Sequence, residues 1–180
     1  METSNLSGQK ITIRSLLPKD IKIPEKFQCF INSLVVEEAM LLIKTKKSKK
    51  NEAEYLSAII KKIKDHKMVC LIAEADDKII GKTTIELRRE REDHVAEFGI
   101  SIRNGYRGMG LGFYLTKKII ALAKKDLKPK PKFIRLSVFQ GNIPAYYLYK
   151  KMGFQRVAKI PQQVQYNGKL IDEIVMLLKV

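Results

Sequence analysis

The 180-residue chain has no tryptophan, only two cysteines and only two histidines. Cys29, Cys70, His66 and His94 stand far apart, in no metal-ligand spacing, so neither a zinc site nor any other metal centre is expected. The two thiols sit in apolar stretches and read as buried, reduced residues rather than a disulfide. Acid is also scarce: 19 Asp and Glu stand against 35 Lys and Arg, for a net charge of +16. Apolar runs last only a few residues, far short of the roughly 20 that cross a bilayer. No basic segment followed by an apolar one opens the chain, so a soluble, cytoplasmic protein without a membrane partner is expected. What is present suits a folded domain, with 45% hydrophobic residues in a length that one core can serve. The positive excess would serve nucleic acid, an acidic partner or a phosphate-bearing ligand. Nucleic acid is disfavoured, because the lysines are spread over every segment and form no known binding motif.

Periodicity supplies a coarse map. Residues 1–9 are small and polar and predict a flexible tail, leaving 10–180 as one domain. Alternation over Lys10–Leu16 predicts a strand, and apolar spacing from Pro24 to Lys44 predicts one helix, or two short ones. A basic loop, K-T-K-K-S-K-K, follows, and Asn51 can cap a helix with Tyr55, Leu56, Ile59, Ile60 and Ile63 inward. Met68–Ala75, Lys78–Leu87 and Val95–Ile102 read as an antiparallel meander. An amphipathic helix follows to about Lys125, then a strand over Phe133–Phe139, a parallel crossover. Asn167-Gly168 between apolar residues marks a two-residue hairpin near the C-terminus.

The Arg107–Gly112 turn, R-G-M-G-L-G, lies where the third meander strand meets that helix. Alternate glycines leave its amides bare and permit positive φ, and the helix N-terminus adds unpaired N–H groups with the positive end of the dipole. Such a turn seats phosphate. It is not a P-loop, since Phe113 and Tyr114 follow where Lys-Ser/Thr should, and Phe113 also breaks the dinucleotide fingerprint. A glycine-rich turn without a ligand is the alternative.

A second motif, N-I-P-A-Y-Y-L-Y-K-K-M-G-F, fills Asn142–Phe154. Asn142 suits an N-cap, Pro144 the first turn and Gly153 a left-handed stop. Seven residues are nearly two turns, so Asn142 and Tyr149 share a face. Tyr149 could equally be one of several aromatic core residues. Together, Ile102 with R-x-x-G-x-G and N-x-x-A-x-x-L-Y-x-K-x-G-F about 30 residues later resemble the acetyl-CoA motifs of the GNAT superfamily of N-acetyltransferases.

The resemblance, spanning Lys10 to Val180, implies an α/β (α+β) fold: a mixed, mostly antiparallel sheet of six or seven strands with helices on both faces. It also implies an acetyl-CoA-dependent N-acetyltransferase that acts by direct attack of a primary amine. The amine could belong to a protein N-terminus, a lysine or a small molecule. Arg107, Gly108, Met109, Gly110, Leu111 and Gly112 would hold the pyrophosphate. Ile100, Ser101 and Ile102 would pair with pantetheine, and Asn142 would contact the same arm. Tyr149 would be the general acid for the leaving thiolate. Glu97 is the first candidate for the base, ahead of His94 and Glu86, with a solvated or salt-bridged strand residue as the alternative. A non-catalytic acyl-CoA sensor remains a rival reading, and a homodimer is left open.

Overall fold

Strand β3 (Met68–Ala75) is buried at seven of its eight positions, so helices have to cover both of its faces. They do so in the computed structural model, which describes residues 2–6 and 8–180. The strands are β1 (Glu2–Leu6), β2 (Gln9–Ser15), β3, β4 (Lys78–Leu87), β5 (Val95–Ile102), β6 (Phe133–Phe139), β7 (Gln155–Tyr166) and β8 (Lys169–Lys179). The helices are α1 (Pro24–Val36), α2 (Lys49–Lys64), α3 (Leu111–Asp126) and α4 (Ile143–Lys151). One sheet runs β1-β2-β3-β4-β5-β6-β8-β7, antiparallel throughout except where β5 and β6 run parallel. Alternation divides the apolar side chains between two cores. Leu111, Leu115 and Ile119 of α3 meet Ile85, Phe98 and Leu136 on one face, while Phe27, Phe30, Leu56 and Ile59 of α1 and α2 cover Cys70 and Ile72 on the other.

The expected fold class holds, with eight strands where six or seven were expected. The added strand is β1, where a flexible tail was expected: Glu2 to Leu6 pair with Ile13 to Gln9. Its backbone completes an edge, and its short polar sequence gave no alternation to read. Three further local corrections have plain causes. Helix α1 stops at Val36 and does not reach Lys44, because Glu38 turns left-handed at φ 49°. Its N–H then donates to the Val35 carbonyl, and that of Ala39 to the Leu34 carbonyl. Ser48, not Asn51, caps α2: its hydroxyl accepts from the Asn51 N–H at 3.1 Å, and Asn51 Oδ1 accepts from the Ser48 N–H at 3.3 Å. Cys29 is exposed, and only Cys70 is buried. The Asn167-Gly168 turn forms as expected, with φ of 48° and 72°.

One feature of the sheet positions everything functional. β5 pairs with β6 only through Val95, Ala96 and Glu97, opposite Phe133, Ile134 and Arg135. Beyond Glu97 the two strands part, while β5 stays paired to β4 as far as Ile102. From Phe98 onward, among the described residues, no strand pairs with β5 on its β6 side.

Candidate active site

The parted strands open into a cleft of about 660 Å³. Neighbouring residues of one strand point to opposite faces of a sheet. Yet Glu97, Gly99 and Ser101 line the same space as Phe98, Ile100 and Ile102. Beyond Glu97 no strand among the described residues closes the sheet on this side, so the cleft is open to both faces, the α3–α4 side and the α1–α2 side.

At one end of the cleft is the glycine turn. Gly108 and Gly110 have φ of 79° and 88°, values costly for other residues, and a Cβ on either would meet nothing within 4 Å. Gly110 is the N-cap of α3 and offers no side-chain cap. The first helical bond runs from the Tyr114 N–H to the Gly110 carbonyl, so the amides from Gly108 to Phe113 donate to no acceptor among the described residues. Gly112 serves a different need: a Cβ there would approach Leu148 to 3.2 Å, so its absence lets α3 and α4 close together. Arg107 folds back over the turn. Its Nε donates to the Ile102 carbonyl at 2.8 Å, and its Nη2 pairs with Glu37 at the end of α1.

Helix α4 brings in the phenol. The Asn142 Oδ1 accepts from the Ala145 N–H at 3.4 Å as the N-cap, which leaves its amide N–H groups for a ligand. At the other end Gly153 is left-handed, at φ 93°. The Phe154 N–H reaches back to the Tyr149 carbonyl and that of Gly153 to the Lys150 carbonyl, each at 3.0 Å. This stop presses Phe154 against Tyr149, with ring centroids 5.9 Å apart, and Phe98 meets the same ring edge-on at 5.8 Å. Tyr149 is 7% exposed and still lines the cleft, and its hydroxyl has no partner among the described residues. Burial pushes the phenol pKa up to about 12.

Glu97 lines the cleft from the opposite face. Arg135 Nη1 donates to its two oxygens at 2.9 and 3.1 Å, and Arg88 Nη1 reaches one of them at 3.4 Å. Of the alternative bases, Glu86 is paired with Lys62 at 2.7 Å and His94 is exposed; neither lines the cleft. Among the described residues no group of His, Cys, Asp or Glu could hold a metal ion, and no helix is long and apolar enough to cross a membrane.

A bare-amide turn, a capping asparagine and a buried phenol around one split in a sheet are the arrangement that both sequence motifs imply. The family description that matches residues 29–154 is that of the acetyltransferase (GNAT) family. The chain belongs to the GNAT family.

Its fold is that of solved members. The acetyltransferase of GNAT family from Streptococcus pneumoniae aligns with a TM-score of 0.82 at 24% identity, over 94% of this chain and 99% of that one. YncA of Salmonella typhimurium, solved with its cofactor acetyl-CoA, aligns at 0.78 and 19% identity, over 94% and 93% of the two chains. In sequence, the L-amino acid N-acetyltransferase AaaT of Escherichia coli (strain K12) is 32% identical over 107 residues, 59% of this chain. The chain spans 65% of that relative's length.

Within this GNAT chain the cleft gathers Glu97, Ile100, Ser101, Ile102, Arg107, Gly108, Gly110, Gly112, Asn142 and Tyr149. Met109 and Leu111 lie in the same turn but direct their side chains into the α3 core, so only their backbone faces outward. Met40, Leu41, Leu42 and Ile43 also line the cleft; they fall in the region Phe27 to Lys50, from which substrate contacts are expected, but apolar helical spacing singles out none of them, and Ser137 alternates within an ordinary-looking strand. Lys82 and Thr84 did leave a signal, as part of a polar run, Lys82-Thr83-Thr84, in the middle of a central strand.

Proposed function

We propose that the protein moves an acetyl group from acetyl-CoA to the primary amine of a small molecule, by direct attack with both substrates bound. One observation carries the reading: the unpaired amides of the glycine turn and the unpaired hydroxyl of Tyr149 border the same through-sheet cleft. The turn suits the pyrophosphate, whose charge meets fixed N–H groups and the positive end of α3. The open edge of β5 from Phe98 to Ile102 suits the pantetheine amides, which can pair there as a strand would. A main-chain N–H of the same edge supplies a hydrogen bond to the thioester oxygen as charge develops on it. The relative named for acting on L-amino acids supports a small acceptor over a protein.

In this reading Tyr149 protects the leaving sulfur. A thiol ionises near 8.5, so complete transfer of a proton from a phenol at about 12 would be uphill by about 3.5 units, ~5 kcal/mol. Tyr149 therefore acts first as a hydrogen-bond donor to the departing thiolate; when its proton moves to sulfur, the proton that the attacking nitrogen releases returns through water to restore the phenol. Glu97, held in place by Arg135 and Arg88, receives the amine's proton through one water.

The test is incubation with acetyl-CoA and an amine panel while released thiol is followed. Turnover on small amines is expected, and Tyr149→Phe should lower kcat by about 10²-fold or more while KM for acetyl-CoA changes little. Tight acetyl-CoA binding without turnover on any amine would replace the enzyme by a sensor. Unchanged kcat in the phenylalanine variant would remove Tyr149 from the chemistry.

A further inference from the structure

Among the described residues three charged side chains line the cleft: Lys82, Glu97 and Arg107. Two are neutralised within the protein, Glu97 by Arg135 and Arg88 and Arg107 by Glu37. Lys82 is not. Its Nζ donates to the Tyr55 hydroxyl at 3.0 Å and lies 4.3 Å from that ring's centre, and no carboxylate comes within ion-pair distance of it among the described residues. Glu52, one turn before Tyr55 on α2, is 5% exposed and makes no ion pair with Lys82; burial raises its pKa, and the charges of Lys82 and Lys47 lower it. An ammonium half-buried beside apolar walls, with no ion pair among the described residues, favours a ligand that brings a carboxylate to it.

Its place in the sheet says where that charge would sit. Lys82 is opposite Ser101, and Thr84 is opposite Gly99, the residue after Phe98, whose ring touches Tyr149. Lys82 and Thr84 share the α1–α2 face with Glu97, across the sheet from the phenol. Two residues of strand are about 7 Å, so Lys82 stands one side-chain length along the strand from the point where Thr84 faces Gly99. Lys82 thus lines the same cleft as Tyr149, on the opposite face of the sheet. Beyond it, Ile31 and the segment Met40–Ile43 make an apolar wall.

We propose that Lys82, steadied by Tyr55, is an anion subsite that selects acceptors carrying a carboxylate next to the amine, with an apolar group directed at Ile31 and Met40–Ile43. The substrate class is then free α-amino acids with apolar side chains. This rests on the acetyl-transfer reading, and the experiment separates the two. L-leucine, leucinamide and 3-methylbutylamine share one side chain and differ only in the carboxylate. Wild-type protein should show kcat/KM for leucine at least about tenfold above the other two, the worth of one charge-assisted hydrogen bond. Lys82→Met should bring the leucine-to-leucinamide ratio close to one, and Lys82→Arg should keep it high. A ratio near one in wild type, or an unaltered ratio in Lys82→Met, overturns the subsite even if transfer proceeds. Calorimetry with N-acetylleucine and N-acetylleucinamide on the CoA-loaded protein reads the same subsite without turnover. Tighter binding of the acid, lost in Lys82→Met, upholds the subsite even if no amine is acetylated; equal binding of the two overturns it.

Discussion

The hydroxyl of Tyr149 belongs to a side chain that is 7% exposed, and its pKa is pushed up to about 12 by burial. The folded value lies above the ordinary value near 10, so the protonated phenol is the form that the fold favours. The donor stays in place below pH 10 and is lost only as pH rises through about 12. The kcat profile should therefore show no descending limb before about pH 11, and a fall centred near 10 would mean that the donor is some other, unburied group. Glu97 calls for a different pH test. If it passes the amine's proton to water, Glu97→Gln should lower kcat/KM about 10²-fold near pH 7, and the deficit should shrink as pH approaches about 10, where the amine sheds its own proton. A deficit that is constant with pH would leave Glu97 only its structural pairing with Arg135 and Arg88. Nothing in the sequence announced those two partners: the arginines are 47 residues apart, and only the β5–β6 register brings Arg135 opposite Glu97.

At the level of elements, the N-terminus of α3 and the C-terminus of α4 are both built by glycine, and this made the site readable. A left-handed residue and a capping amide are local requirements, and sequence records local requirements directly. Stops of other chemistry leave no such record. Glu38 ends α1 in a left-handed turn without glycine, which releases Met40–Ile43 to line the cleft, and apolar spacing alone carried the expected helix past it. The glycine turn can be tested by filling it. Gly110→Glu places a side chain at φ 88°, which costs about 1–2 kcal/mol against a typical domain stability of 5–15 kcal/mol, so the variant should fold. Its carboxylate would occupy the open space before the bare amides and repel phosphate. Acetyl-CoA binding should become undetectable by calorimetry while the far-ultraviolet spectrum is retained. Binding at wild-type strength would put the phosphate seat elsewhere.

Across the whole molecule, the split between β5 and β6 concentrates function and mechanical weakness in one place. Three paired positions join β1–β5 to β6–β8, and past them α3 and α4 meet through the close approach that Gly112 allows. The resemblance of the motifs implied a pantetheine pairing at Ile100, Ser101 and Ile102, but the parting itself could not be read from alternation, because β5 and β6 each carry ordinary strand patterns and pairing is a property of two segments. A ligand that touches the α3 turn, the β5 edge and α4 together would join the halves. At about 100 times its dissociation constant such a ligand adds about 2.7 kcal/mol, which at 2–4 °C per kcal/mol for a chain of this size raises Tm by roughly 5–11 °C. The nucleotide portion alone reaches the turn but not β5, and pantetheine alone reaches β5 but not the turn. At equal concentration each fragment should shift Tm by much less than intact CoA. The net charge of +16 adds a second expectation: the CoA-induced shift should fall as salt rises from roughly 0.05 to 0.5 M, because the Debye length contracts below the spacing of the outlying lysines, while contacts of the bare amides persist. Equal shifts from CoA and from its nucleotide portion would show that the halves are held together without the pantetheine arm, and would remove the β5 edge from the binding path.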